Sequence, residues 1–182
     1  YSLRFVTACG VSKNMRLDLA LNDFVISGFQ DGKISVLSDG SPWRPFIDVN
    51  DMARAIWYCC SNFSKNSFEI FNVGSEDFNF QMGDLAKIIS KKIGCNFEIT
   101  GKVGRDSRSY AVDFSKFEKF TKGKIITNTL DKTISDIHHF FNTVSRNSGN
   151  EYFKSFRNKS KFIRLIALEK KIKNGKLSEN LL

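Results

Sequence analysis

Short apolar or β-branched runs that close at a glycine alternate with stretches of helical periodicity along most of this chain, and that alternation narrows the available folds more than any other feature. Leu3 to Thr7 is apolar and β-branched and closes at Gly10, so residues 1–10 are expected as a strand. Met15 to Phe29 sets Leu17, Leu21, Phe24 and Val25 at helical spacing, and Gly28 with Asp31-Gly32 supplies the stop. Lys33 to Leu37 alternates as a strand, Ser38 to Pro42 turns, and Trp43 to Val49 is extended again. A helix carrying Met52, Ala53, Ala55, Ile56, Trp57 and Cys60 follows, capped by Asn50 or Asp51. Phe68 to Gly74 alternates like a strand, Asn79 to Ile93 is an amphipathic helix stopped by Gly94, and Phe97 to Ile99 is a short strand. Asp113 to Lys122 forms a short helix, and Thr129 opens another that runs to about Val144. The Asn147-Ser148-Gly149-Asn150 linker then leads into a basic helical tail. Strands alternating with helices in this way predict an α/β fold.

Length and composition bound the function classes. The 182 residues suit one ordinary domain, and a 41% hydrophobic content fills a core. Apolar runs last only a few residues, well short of the roughly 20 that span a bilayer, so a membrane span is excluded and a cytoplasmic location is expected. Residues 1–10 lack the charged and apolar regions of a signal peptide. With Tyr1 in first place, the chain is expected to be a piece of a longer one.

Cys9, Cys59, Cys60 and Cys95 show no Cys-x-x-Cys spacing, and only His138 and His139 could join them, so no metal site is expected. They read instead as buried, reduced thiols. The net charge of +9 sits mostly at the C-terminus: residues 151–182 hold nine Lys or Arg against three Glu, a net of +6. A last helix with Phe162, Ile163, Leu165, Ile166 and Ile172 on one face explains that charge as a solvated surface, without nucleic acid.

Catalytic signatures are missing from these residues. There is no Gly-x-Gly-x-x-Gly turn, no Tyr-x-x-x-Lys pair, no Gly-x-Ser-x-Gly elbow and no P-loop. The informative stretch is Ser38-Asp39-Gly40-Ser41-Pro42-Trp43-Arg44-Pro45-Phe46-Ile47-Asp48-Val49-Asn50-Asp51-Met52-Ala53-Arg54-Ala55. It sets one guanidinium between an aromatic residue and a proline, before a strand that ends on two carboxylates. A planar guanidinium fork suits a phosphate. Equally, Arg44 could pair with Asp48 or Asp51 to fix the strand-to-helix corner.

That stretch resembles the "DGxxWRPFxHVxDxARA" segment of the extended short-chain dehydrogenase/reductases, the NAD-dependent epimerase/dehydratase family acting on sugar nucleotides. Three further segments resemble the same family in the same order. They are Leu3-Arg4-Phe5-Val6-Thr7-Ala8-Cys9-Gly10 with Met15-Arg16-Leu17-Asp18-Leu19 and Asn22, then Phe71-Asn72-Val73-Gly74, then Arg105-Asp106-Ser107-Arg108-Ser109-Tyr110 through Asp113-Phe114-Ser115-Lys116. The resemblance covers residues 1 to about 140 and is weak in the tail.

It implies the C-terminal part of a Rossmann-like enzyme. Residues 1–146 would be the substrate-binding part, with 1–10 a strand of the Rossmann sheet, and 147–182 a linker and basic amphipathic tail. The N-terminal half that binds NAD and carries the Tyr/Lys pair would be absent, so no catalytic residue is expected in this chain. Arg44 would hold the diphosphate, Arg108 (or Arg105) would add a second cation, and Asn22 would lie near the sugar or phosphate. Ile34 to Val36 would line the base, Asp106 would accept from the ribose, and Val6 and Thr7 would touch NAD at its margin. Cys9 stands where the family commonly has Tyr, and Asp48 where it usually has His. A UDP-, dTDP-, GDP- or CDP-sugar is the expected partner, with oxidation at sugar C4 as the parent reaction and a homodimer of the full-length protein. The competing readings are a non-catalytic nucleotide- or polyanion-binding module and an inactive remnant of a truncated gene.

Overall fold

The computed structural model describes residues 1–12, 15–62, 68–101, 108–157 and 164–176. In chain order these form β1 (Ser2–Phe5), β2 (Thr7–Cys9), α1 (Ala20–Asp31), β3 (Lys33–Val36), β4 (Trp43–Asp48), α2 (Val49–Ser61), β5 (Ile70–Val73), β6 (Asn79–Gln81), α3 (Met82–Ile93), β7 (Asn96–Ile99), α4 (Ser115–Thr121), α5 (Leu130–Arg157) and α6 (Arg164–Lys173).

The first extended run changes neighbours at Val6: β1 pairs parallel with β5, and β2 pairs parallel with β4. Strand β4 takes β6 antiparallel on its other side, and β3 pairs parallel with β7. Parallel pairs joined through helices are the mark of an α/β fold, as the sequence pattern predicts. Successive side chains of a strand point to opposite faces, and β4 uses that to join two cores. Phe46 enters one with Leu21, Val25, Ile34, Leu85, Ile89 and Ile137, between α1, α3 and α5. Ile47 enters the other with Ala55, Cys59, Phe71, Val73 and Phe117, beneath α2 and α4. Full burial of each large apolar side chain is worth about 1.5–3 kcal/mol, so β4 is anchored on both faces.

Helix boundaries depart from the periodicity in instructive places. Helix α1 begins at Ala20 rather than Met15, although Met15 and Leu17 are buried. The Arg16 carbonyl accepts from the Asn22 side-chain amide instead of a helical N–H. Asn79 to Gln81, predicted as helix, form β6, because their backbone pairs with Trp43 to Pro45 and the Asn79 side chain bonds both the N–H and the C=O of Val112. The cap of α2 is Asp48, not Asn50 or Asp51: its carboxylate accepts the Asn50 N–H at 2.8 Å.

Helix α5 runs through Asn147 to Asn150, where the composition suggests a linker. One glycine costs only about 1 kcal/mol within a helix, which continuous i to i−4 bonding can absorb. Of the tail's apolar face, Phe162 and Ile163 lie outside the described residues and Ile172 is half-buried. The α3 N-terminus is closed by a loop, with Met82 and Gly83 donating to the carbonyls of Pro42 and Gly40 at 3.0 and 2.9 Å. A Cβ on Gly40 would sit 3.1 Å from Ile99 and 3.3 Å from Gly83 Cα, and Gly40 has φ of 85°, so this approach needs glycine.

Candidate functional site

A cleft of about 650 Å³ opens beside β2 and β4. Its floor is Thr7 and Phe46, one wall is the run from Ser35 to Ser38 with Met82, and the other is the segment from Arg16 to Ala20 with Asp23 and Phe24 of α1. Arg44 and Arg108 complete it.

Arg44 projects from the second residue of β4, and its Nη1 donates to the Trp43 carbonyl at 2.8 Å and to the Arg108 carbonyl. The guanidinium carbon lies 5.7 Å from the centre of the Tyr110 ring, a cation–π approach. The segment carrying Arg108 is laid along β4: the Trp43 N–H donates to Ser109 Oγ at 3.0 Å, and the Tyr110 N–H donates to the Trp43 carbonyl at 3.2 Å. Two cations 64 positions apart in sequence thereby meet at one cleft.

The alternative pairing of Arg44 with the corner carboxylates does not form. Asp48, 1% exposed, accepts from Asn50 on one oxygen and from Thr133 Oγ1 at 2.7 Å on the other. Asp51 is taken by Arg54 and by the backbone N–H groups of Thr127 at 2.9 Å and Asn128 at 3.2 Å. The corner is thus closed without Arg44.

Arg44, Arg108, Val36 and Thr7 all line the cleft. Ile34 does not, since its side chain is sealed in the larger core: the alternation of β3 turns Lys33 and Ser35 outward and Ile34 and Val36 inward, and only Val36 also reaches the cleft wall. Val6 packs against the smaller core. Asn22 is 2% exposed, and both ends of its amide are spent on backbone: Oδ1 accepts the Gly10 N–H at 3.0 Å, and Nδ2 donates to the Arg16 carbonyl at 2.9 Å. It is not among the residues that line the cleft. Asp106 and Arg105 lie outside the described residues.

Sequence reasoning assigned no role to Arg16 and Asp18, which also line the cleft. They form a two-pronged pair, Nε to Oδ1 at 3.0 Å and Nη2 to Oδ2 at 2.6 Å. Hydrogen bonding to Arg16 holds the Asp18 carboxyl below its ordinary pKa and raises Arg16 in turn, so both stay charged. The Arg-x-Asp spacing was the available signal, but it is common on solvated surfaces. His138 is used structurally, its ring edge-on to Phe29 at 5.0 Å. Among the described residues no group of His, Cys, Asp and Glu could hold a metal, and no helix is long and apolar enough to cross a membrane.

Comparison with known proteins agrees with this architecture. Residues 2–74 match the sequence model of the NAD dependent epimerase/dehydratase family. The fold is similar to that of UDP-glucuronic acid 4-epimerase from Bacillus cereus, solved with UDP-glucuronic acid and NAD, at TM-score 0.64 and 18% identity over 78% of this chain and 45% of that one. It is also similar to UDP-glucose 4-epimerase from Thermotoga maritima, solved with UDP-glucose, at TM-score 0.62 and 18% identity over 78% and 46%. A GDP-L-fucose synthetase from Naegleria fowleri matches at TM-score 0.61 and 18% identity over 80% and 47%. The matched region is therefore just under half the length of each of these structures. Over residues 2–74 the sequence thus resembles the NAD dependent epimerase/dehydratase family, and over roughly four-fifths of its length the chain has the Rossmann-like α/β fold of these structures.

Proposed function

We propose that this chain is the substrate-binding part of an NAD-dependent sugar-nucleotide epimerase or dehydratase, and that its cleft holds the nucleotide diphosphate between Arg44 and Arg108. The observation that carries the reading is the convergence of these two guanidinium-bearing residues on a cleft of about 650 Å³ while the corner carboxylates are committed elsewhere. Pockets of this size take one nucleotide-sized ligand. Arg44 is pre-oriented by its bonds to two carbonyls and by Tyr110, so little side-chain freedom is lost when a phosphate arrives. Val36 and its neighbours on β3 offer an apolar edge and backbone groups to the base. Asp106 would accept from the ribose hydroxyls.

The residues present fit NAD only at an edge. Thr7 lines the cleft beyond the carboxyl end of β1, which is where dinucleotides sit in parallel α/β sheets. Val6 is turned into the core and would flank that contact through its backbone. When bound, NAD supplies the acceptor for oxidation of the sugar at C4. The Tyr-x-x-x-Lys pair and glycine-rich turn are not among these 182 residues and would come from a companion NAD-binding half. The task left to this chain is to bind and orient: it fixes the diphosphate so that the sugar is presented to that half.

Thermal melting of the chain with UDP-, dTDP-, GDP- and CDP-sugars at two salt concentrations tests the reading. A salt-tolerant rise with one nucleotide class is expected. Arg44→Ala should weaken that binding about tenfold or more, the worth of a charge-assisted bond of ~1.5–3 kcal/mol. Binding that collapses steeply with salt would indicate a polyanion surface instead. Unchanged affinity in Arg44→Ala, or no binding of any nucleotide sugar by the folded wild type, would overturn the proposal.

A further inference from the structure

Residues 151–182 carry +6 of the chain's net charge of +9, and none of the described residues among them lines the cleft. The last helix of this tail is α6, ten residues closed at Gly175, whose φ of 66° lets the Lys176 N–H reach the Lys171 carbonyl at 2.8 Å. Leu165, Leu168 and Ile172 stand at i, i+3 and i+7 along it, which is one stripe of a helix. Leu168 and Ile172 are half-buried yet belong to neither core, while Glu169, Lys170, Lys171, Lys173 and Lys176 are exposed. Among the described residues α6 makes no extensive contact with any other element.

Isolated helices shorter than roughly 12–15 residues are marginal in water and take most of their stability from an apolar face packed on a neighbour. The charge on α6 indicates what that neighbour is. On the body of the protein Lys33, Lys92, Lys116 and Lys132 each meet a carboxylate. Among the described residues Lys170, Lys171, Lys173 and Lys176 meet none, although they crowd into one short stretch. Lysines in a last helical turn complement the helix dipole, but Lys176 lies beyond the helix, and a dipole needs no apolar stripe. We propose that α6 docks on an anionic phospholipid surface, its Leu165, Leu168 and Ile172 stripe entering the headgroup boundary and its lysines pairing with lipid phosphates. Lysine stems are long enough to hold their ammonium groups at the headgroups while the helix lies in that plane. RNA would satisfy the lysines but leave the stripe in water, so the two features together select lipid. The proposal does not depend on what the cleft binds.

Sedimentation of the whole chain with lipid vesicles tests it. Vesicles of phosphatidylcholine alone are compared with an equal mixture of phosphatidylcholine and phosphatidylglycerol, at low and high salt. Wild type, Lys170→Gln/Lys171→Gln/Lys173→Gln/Lys176→Gln and Leu168→Ser/Ile172→Ser are assayed, with melting temperature recorded for each. Wild type should bind the mixed vesicles, more weakly as salt rises, and bind phosphatidylcholine far less. Each lysine near an anionic surface is worth about fivefold in affinity, so the lysine variant should bind at least about a hundredfold more weakly. Leu168→Ser/Ile172→Ser should lose about tenfold or more, because it removes the apolar burial that a lipid boundary offers. Melting temperature should hold in both variants, since these residues belong to neither core.

Failure of wild type to bind the mixed vesicles, or equal binding to both kinds, would overturn the proposal. A lysine variant that binds the mixed vesicles as wild type does would also overturn it, by placing the contact elsewhere on the chain. So would a Leu168→Ser/Ile172→Ser variant with undiminished affinity, because charge alone would then carry the contact. Single-stranded RNA is titrated alongside. RNA binding that is lost in the lysine variant, kept in Leu168→Ser/Ile172→Ser and unaccompanied by vesicle binding would assign the tail to nucleic acid and overturn the lipid reading.

Discussion

Gly10 follows β2 with φ of 100°, and the space a side chain there would occupy is already filled. A Cβ there would lie 2.8 Å from Asp48 Oδ2 and 3.2 Å from Asp48 Cγ. Asp48 cannot step aside without loss, because Oδ2 accepts from Thr133 Oγ1 at 2.7 Å and Oδ1 caps α2. Gly10→Ala therefore costs about 1–2 kcal/mol in backbone strain. It costs a further ~1–2 kcal/mol as Asp48 gives up either the buried hydroxyl bond or the cap. The expected total is about 2–4 kcal/mol. Urea unfolding followed by circular dichroism measures it in Gly10→Ala, Asp48→Ala and the double variant. With Asp48 removed, the second component vanishes and the cost of Ala at position 10 should fall to about 1–2 kcal/mol, the strain component alone. A cost below about 0.5 kcal/mol, the size of an ordinary surface change, or an equal cost in both backgrounds, refutes the steric argument.

Asp51→Ala should destabilise by about 2–4 kcal/mol in the same assay, since it strands two backbone N–H groups and one face of Arg54; a change within the surface range would mean that solvent replaces the carboxylate. Burial, with Asp48 and Asp51 nearby, pushes the Cys9 thiol far above its ordinary value of 9.0. Native protein at pH 8 should accordingly be alkylated at the exposed Cys60 and spared at Cys9 until it is unfolded, as mass spectrometry of the labelled peptides would show. Because the folded pKa is the raised one, Cys9 stabilises the fold below pH 9.0 and destabilises it progressively above, where the unfolded thiol ionises; a fold whose stability is unaffected by Cys9→Ser across that range would contradict this.

Much of the architecture is legible locally. Strand and helix signals are short-range, set by alternation over a few residues and by helical spacing over a dozen, so most of the elements from Leu3 to Phe141 follow from the chain itself. The run around Trp43-Arg44-Pro45-Phe46 stands out for the same reason: its residue types are unusual together whatever surrounds them. What could not be read is which partner each polar group takes. Asn79 to Gln81 look helical until the edge of β4 offers them a strand to pair with.

Arg44 had two plausible fates, and the choice was made by residues far away in sequence. Thr133, 85 positions from Asp48, and the backbone at Thr127 and Asn128 satisfy the corner carboxylates, while Arg44 lines the cleft. Asn22 shows the same dependence in the opposite direction. Its residue type suits a ligand, but the fold buries it against Gly10 and Arg16 and turns its hydrogen bonds inward. The sequence by itself determined the α/β alternation, the extended run from Trp43 and the presence of cations suited to phosphate. Only the tertiary structure decided which cations share a cleft and which polar groups support them, because a buried donor or acceptor must be satisfied by whatever the fold brings within 3 Å of it.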